Sequence, residues 1–165
     1  MNANIIKANP VISKLTELLK KHPSSYLTGG GVIDILEGRE PKDYDILGFY
    51  ISSLSNLPEE FIFLYETKTS YTYDLDGNVI QFLKTKVEQF DFKISQSTYK
   101  FQSNLLTIDD LSFKNKTLTP VSFEPNRAKE CLYRIPHWQR KGYNIHPMTY
   151  LSLLNASFKT IIKQS

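Results

Sequence analysis

The stretch TGGGVIDILEGREPKDYDIL, Thr28–Leu47, decides the fold prediction for this chain. Three consecutive glycines follow the short run SYLT, which predicts a strand, and precede VIDIL, whose apolar spacing predicts a short helix ending at Gly38. The closing segment DYDIL alternates apolar and acidic residues and predicts a second strand. The order is therefore strand, glycine turn, helix and strand.

The second of these strands carries two acids, Asp43 and Asp45. Residues two apart on a strand project to the same face, so both carboxylates point one way while Tyr44 and Ile46 point the other. Neighbouring carboxylates repel unless a cation lies between them, and Mg²⁺ is commonly held by one or two carboxylates together with substrate phosphates. The pair predicts a site for Mg²⁺ or Mn²⁺. The alternative is two solvated acids at a strand end.

The glycines supply a complementary feature. Gly29 and Gly30 open the predicted helix, and a glycine turn at a helix start exposes backbone N–H groups that favour phosphate. Taken alone, such a turn is just as well explained as a simple connection between a strand and a helix. Joined to the two acids at this spacing, it predicts a cradle for a nucleoside triphosphate beside a metal site.

The rest of the chain predicts an α+β fold with a mixed sheet flanked by helices. A helix is predicted over NPVISKLTELLKKH, and a hairpin over YTYDLDGNVIQFL around Asp76 and Gly77. Strands are predicted at EFIFLYET and FDFKIS, a helix interrupted at Pro136 follows, and HPMTYLSLLNASFKTIIK predicts a final helix. We expect one domain over residues 1–122 and a helical segment packed on it over residues 123–165.

Composition limits the classes of function. The chain has 165 residues, 41% of them hydrophobic, which is enough for a real core. Its net charge of +3 is too small to argue for nucleic acid by itself. A single cysteine, Cys131, predicts a reducing, cytoplasmic setting and a buried thiol rather than a nucleophile. The sequence predicts no membrane span and no secretory signal.

The opening stretch resembles the signature of the DNA polymerase β-like nucleotidyltransferases, and most closely the head domain of class II CCA-adding enzymes and bacterial poly(A) polymerases. The residues that match this signature are Gly29, Gly30, Val32, Asp34, Gly38, Arg39, Lys42, Asp43 and Asp45. FDFKISQSTY, with Asp91, is similar to a second family segment. EPNRAKECLYRIPHWQRKGYNI, with Arg127, is similar to the start of an arginine-rich helix. Ile33 and Gln81 depart from the family, standing where an arginine and a third acid are expected.

The resemblance implies a nucleotidyltransferase head over residues 1–122 with a neck-like segment over residues 123–165. It implies transfer of a nucleoside monophosphate from a nucleoside triphosphate to a hydroxyl of an RNA 3′ end, a protein or a small molecule, with release of pyrophosphate. The implied catalytic residues are Asp43, Asp45 and Asp91, the last in place of the missing third acid. The implied nucleotide-binding residues are Gly29, Gly30, Lys42 and Arg127, and the implied metal ligands are Asp43 and Asp45. The alternative is a catalytically degenerate module that binds a nucleotide or a partner.

Overall fold

The structure, a computed structural model, describes the backbone of residues 2–164 and the side chains of residues 2–159. The chain folds as two units. The first unit comprises Met1–Val87 and Ser97–Thr107, and the second comprises Glu88–Gln96 and Ile108–Ser165. The predicted functional division after residue 122 stays a prediction. Within the described residues, none of the helices combines the length and the apolar character that a membrane crossing needs.

The first unit is built on a seven-stranded sheet in the order β3-β4-β5-β2-β1-β6-β7. Only the β2–β5 pair is parallel, and the other five neighbouring pairs are antiparallel. The strands are β1 (Tyr26–Thr28), β2 (Tyr44–Leu47), β3 (Ile62–Glu66), β4 (Ser70–Leu75), β5 (Asn78–Leu83), β6 (Thr98–Lys100) and β7 (Leu105–Thr107). Its helices are α1 (Ala3–Lys7), α2 (Pro10–Leu18) and α3 (Gly30–Leu36).

One face of this sheet forms a core because apolar residues alternate along the central strands. Register partners on neighbouring strands project to the same face, and on this face they are large and buried. Its members include Leu27, Tyr44, Ile46, Ile80, Phe82 and Tyr99. The predicted α+β class, with a mixed sheet and flanking helices, is confirmed.

The second unit is helical. Its helices are α4 (Asp110–Asn115), α5 (Pro125–Gln139) and α6 (Pro147–Gln164), and α5 packs against α6. The predicted interruption at Pro136 is wrong, because α5 continues through it to Gln139. A proline removes one backbone donor from a helix. Here Ile135 and Trp138, both buried, anchor the helix on either side of that position.

The strand predicted at FDFKIS is also wrong. Phe92 forms only an isolated bridge with Pro120, and a 3₁₀ helix runs over Lys93–Gln96. The hydroxyl of Ser95 donates to the Phe92 carbonyl oxygen at 2.6 Å and accepts from the Phe92 N–H at 3.1 Å. Such local bonds offer the backbone an alternative to a strand ladder, and here they produce a turn.

Candidate active site

The glycine elbow begins where β1 ends. Gly29 has φ 75° and ψ −153°, a conformation that is essentially restricted to glycine. Its N–H donates to the Ser97 carbonyl oxygen at 3.2 Å, and the Thr28 hydroxyl donates to the same oxygen at 2.9 Å. Both hydrogen bonds tie the elbow to the Ser97 carbonyl oxygen. The Gly29 N–H is thus already used within the protein, whereas Gly30 lies at the start of α3, where N–H groups have no partner within the helix.

The acidic strand lies directly beside the elbow. Thr28, the last residue of β1, is the register partner of Asp45 in β2. Tyr44 and Ile46 are buried on the opposite face, whereas Asp45 is only half-buried. Asp43, the residue before β2, is half-buried as well. The structure thus brings the glycines and both acids to one part of the first unit.

A close approach joins α3 to the segment that bears Asp43. A Cβ atom added at Gly31 would lie 3.3 Å from the backbone carbonyl oxygen of Asp43, which is tighter than an ordinary van der Waals contact. Glycine at this position therefore lets the elbow helix pack directly against the backbone of Asp43.

A partly buried ion pair ties the loop after α3 back onto the helix, and sequence reasoning missed it. Nε of Arg39 donates to Oδ1 of Asp34 at 2.9 Å, and the Arg39 N–H donates to the Asp34 carbonyl oxygen at 2.7 Å. Nη1 of Arg39 also pairs with Glu37. Desolvation lowers the pKa of Arg39, but hydrogen bonds to Glu37 and Asp34 outweigh it and raise the pKa. Asp34 and Arg39 match the family signature, and here they fix the loop that leads to Asp43.

A row of polar residues crosses the sheet on the face that carries Asp45. Gln81 in β5 is the register partner of Asp45, and Thr72 in β4 is the register partner of Gln81. With Thr28 on the other side, the row reads Thr72, Gln81, Asp45, Thr28. Gln81 is half-buried and occupies the position beside Asp45 where the family pattern led us to expect an acid. The signal in the sequence was the alternation of β4 and β5, which places Thr72 and Gln81 opposite the aromatic residues of the core.

Two predicted site residues lie in the second unit. Asp91 is half-buried, and its Oδ2 is 3.5 Å from Nε of Arg134. Desolvation raises the pKa of Asp91, and the charge of Arg134 partly offsets this rise. Nη2 of Arg127 donates to the carbonyl oxygens of Glu88 and Phe90 at 3.0 and 3.2 Å. Arg127 therefore holds the segment that leads into Asp91, and its predicted contact with nucleotide stays a prediction.

The donor set of Asp43 and Asp45 fits a hard divalent cation. Carboxylate oxygens are the ligands that Mg²⁺ prefers, and two of them suffice when substrate phosphates complete the shell. Among the described residues no group of three or more His, Cys, Asp or Glu side chains is arranged to hold a metal ion.

Lys42, beside Asp43, is exposed, whereas Ile33 is fully buried in the core.

Comparison with known proteins identifies the fold. No protein-family model matches the sequence, and no curated protein does. Among solved structures, a CCA-adding enzyme in complex with CTP superposes with a TM-score of 0.73 at 21% identity, over 99% of this chain and 45% of that one. The Thermotoga maritima CCA-adding enzyme complexed with tRNA superposes with a TM-score of 0.68 at 21% identity, over 99% of this chain and 46% of that one. A tRNA nucleotidyltransferase complexed with a primer tRNA and an incoming ATP analogue superposes with a TM-score of 0.66 at 17% identity, over 92% of this chain and 52% of that one.

These similarities define the class of fold. The chain shares its fold with these CCA-adding enzymes and this tRNA nucleotidyltransferase, which confirms the resemblance at the level of fold. More particularly, it spans about half the length of those enzymes, from 45% to 52% in the three structures above.

Proposed function

We propose that this chain is a metal-dependent nucleotidyltransferase. It would transfer a nucleoside monophosphate from a nucleoside triphosphate to an acceptor hydroxyl and release pyrophosphate. The observation that supports this most directly is the pairing of Thr28 with Asp45, which sets the glycine elbow against the acidic strand. The shared fold with enzymes solved in complex with CTP, ATP and tRNA supports the same reaction class.

The elbow is proposed to bind the triphosphate. Gly29 supplies the turn, and Gly30 supplies an N–H at the positive end of α3. Lys42, exposed and adjacent to Asp43, adds a positive charge next to the acids. These groups position the nucleotide, and in phosphoryl transfer positioning and charge stabilisation account for most of the catalysis.

Asp43 and Asp45 are the proposed ligands of Mg²⁺ or Mn²⁺. A bound ion would neutralise charge on the triphosphate and on the departing pyrophosphate. The oxygen of the acceptor attacks the α-phosphorus, the bond from that phosphorus to the α–β bridging oxygen breaks, and its electron pair leaves with pyrophosphate. The hydroxyl proton must also leave. Asp91 is the predicted group for that proton, since burial raises its pKa and so increases its basicity.

Three acceptor classes follow from the reaction: an RNA 3′ end, a protein hydroxyl and a small-molecule hydroxyl. The protein should be incubated with each of four α-labelled nucleoside triphosphates and Mg²⁺ or Mn²⁺, together with bulk RNA or a cell lysate. Label should be transferred by the wild type and lost in Asp43→Asn and Asp45→Asn. Asp74→Asn is the matched control, because it makes the same chemical change in β4 at a hairpin turn, where the side chain accepts from the Gly77 N–H at 3.2 Å. Equal transfer by all four proteins would refute the assignment.

The second candidate function is binding without turnover. Ile33 is fully buried where the family signature has an arginine, so it supplies no phosphate contact. Gln81 places a neutral amide beside Asp45 where an acid was expected. A degenerate module predicts that nucleotide raises the melting temperature while no label is transferred to any of the three acceptor classes. Transfer by wild type that Asp45→Asn abolishes rules this candidate out.

A further inference from the structure

Gln81 is the cross-strand neighbour of Asp45 on the parallel side of the acidic strand. It is the register partner of Asp45 in β5, and its side chain is half-buried. Neighbouring strands lie about 4.8 Å apart and register partners project to the same face, so the amide lies beside the carboxylate. On the other side, Asp45 pairs with Thr28, whose hydroxyl donates to the Ser97 carbonyl oxygen. Both cross-strand neighbours of Asp45 are therefore uncharged.

The carboxylates available to a cation at this site are those of Asp43 and Asp45. Within the part of the chain that the structure describes, no third His, Cys, Asp or Glu side chain joins them in an arrangement that holds a metal ion. Asp74 shares this face of the sheet, because it is two residues from Thr72 in β4. However, β4 is separated from β2 by β5, and the Asp74 carboxylate accepts from the Gly77 N–H in the hairpin turn. The protein thus brings two negative charges to the site.

Two carboxylates suit one divalent ion better than two. Mg²⁺ is commonly held by one or two carboxylates together with substrate phosphates. In two-ion sites the ions lie about 3.5–4 Å apart, and they repel each other with about four times the energy of two unit charges at that distance. Further negative charge on the protein must offset this repulsion. A glutamine amide supplies none, and its NH₂ group can only donate a hydrogen bond.

The surroundings of Gln81 are compatible with a carboxylate at this position. Glutamate has nearly the same shape as glutamine, so the exchange needs no additional space. Thr72, the register partner of Gln81 in β4, is fully buried, and its hydroxyl has no hydrogen-bond partner among the described residues. A hydroxyl can donate to a carboxylate. The charge at this position is therefore set by the residue type and not by the fold.

We propose that Gln81 limits the candidate active site to one divalent ion, bound together with the triphosphate, and that an acid at this position would admit a second ion. The proposal rests on the proposed function, because the triphosphate completes the ligands of the ion. Two ions can hold both the attacking and the leaving oxygen of a phosphoryl displacement. With a single ion beside the triphosphate, the acceptor oxygen must instead be positioned by side chains of the protein.

Equilibrium dialysis counts the ions directly. The protein is dialysed against excess Mn²⁺ and a saturating non-hydrolysable triphosphate analogue, and the Mn²⁺ and analogue retained per chain are measured. The double variant Asp43→Asn/Asp45→Asn gives the background of ions bound elsewhere. We expect one Mn²⁺ and one analogue for the wild type, and two Mn²⁺ and one analogue for Gln81→Glu. Gln81→Met, which is neutral and of similar length, should retain one ion. Gln139→Glu, the same chemical change at an exposed position of α5, should also retain one.

The possible failures of this inference and of the proposed function are distinguishable. A wild type that retains two Mn²⁺ with one analogue overturns the inference and leaves the proposed function standing. The same conclusion follows if Gln81→Glu folds like the wild type and still retains one ion. A wild type that retains no analogue contradicts the proposed function, and the inference falls with it. Circular dichroism melting checks the fold of each variant, and Gln81→Asp replaces Gln81→Glu if the latter does not fold.

Discussion

Gly31→Ala tests the contact between the elbow helix and the acidic strand. The new Cβ would lie 3.3 Å from the carbonyl oxygen of Asp43, so one of the two segments must move by a few tenths of an ångström. Alanine is a better helix former than glycine by about 1 kcal/mol, and this gain offsets the cost of crowding. The free energy of unfolding should therefore change by less than about 1 kcal/mol. Activity should fall, because Asp43 is displaced.

The size of that fall follows from the displacement. A misplacement of about 1 Å in an active site costs on the order of 100-fold in rate, so a third of that distance corresponds to roughly fivefold. The assay is label transfer at saturating metal, reported as kcat/KM, alongside urea unfolding of the same preparation.

Gly77→Ala is the control for this prediction. Gly77 has φ 82° in the hairpin turn, and an added Cβ there meets nothing within 4 Å. This variant should lose about 1 kcal/mol of stability or more, because an L side chain is strained at that φ, and it should keep its activity. Wild-type kcat/KM in Gly31→Ala, or a loss of activity in Gly77→Ala that matches it, would refute the reasoning.

Three further predictions follow from the ion pair and from the second unit. Arg39→Met leaves the buried Asp34 carboxylate without its guanidinium and should lower the free energy of unfolding in urea by roughly 1–3 kcal/mol. Lys20→Met is the control, because it removes only an exposed pair with Glu17 and should change the free energy of unfolding little. Desolvation raises the pKa of Asp91 in the folded protein. The stability that this carboxyl contributes is therefore fully present below its unfolded pKa and is lost as pH rises through its folded pKa. Between pH 4 and 7 the wild type should lose more stability than Asp91→Asn, and the same dependence of stability on pH in both proteins would contradict this. Burial raises the pKa of Cys131 to about 12, so a thiol reagent at pH 8 should react slowly with the native protein and quickly in urea.

The sequence predicts the centre of the sheet well because its signals there are local. The hairpin at Asp76–Gly77 depends on residues that are adjacent in the chain, and both occupy the left-handed region, with φ of 54° and 82°. The glycine elbow is equally local, since Gly29 adopts the positive φ that the turn requires. Residues at these positions determine their own backbone conformation, and no distant contact is needed to predict it.

The wrong secondary-structure predictions lie where side-chain contacts or packing with distant residues determine the backbone conformation. FDFKIS has the composition of a strand, but Ser95 bonds to the backbone of Phe92 and turns the chain. Pro136 predicts a helix break from its own chemistry, but the burial of Ile135 and Trp138 holds α5 together. Strand composition led to the first prediction and proline chemistry to the second, and both fail because local hydrogen bonds and packing outweigh them.

The site was predicted in part. The acids and the glycines share a motif, so their proximity follows from a short connection. The pairing of Thr28 with Asp45 and of Asp45 with Gln81 depends on strand register across the sheet, and no single segment encodes it. The Asp34–Arg39 pair was also missed, although the spacing of five residues at the end of a helix suits a side chain that reaches back.

The central claim is that the glycine elbow and the acidic strand bind one nucleoside triphosphate through a divalent cation. Isothermal titration of a non-hydrolysable triphosphate analogue, with and without Mg²⁺, tests it without requiring an acceptor. We predict that Mg²⁺ tightens binding to the wild type and to Asp74→Asn at least tenfold, and that this gain is absent in Asp45→Asn. An affinity that does not depend on Mg²⁺, or a gain that survives in Asp45→Asn, would contradict the account.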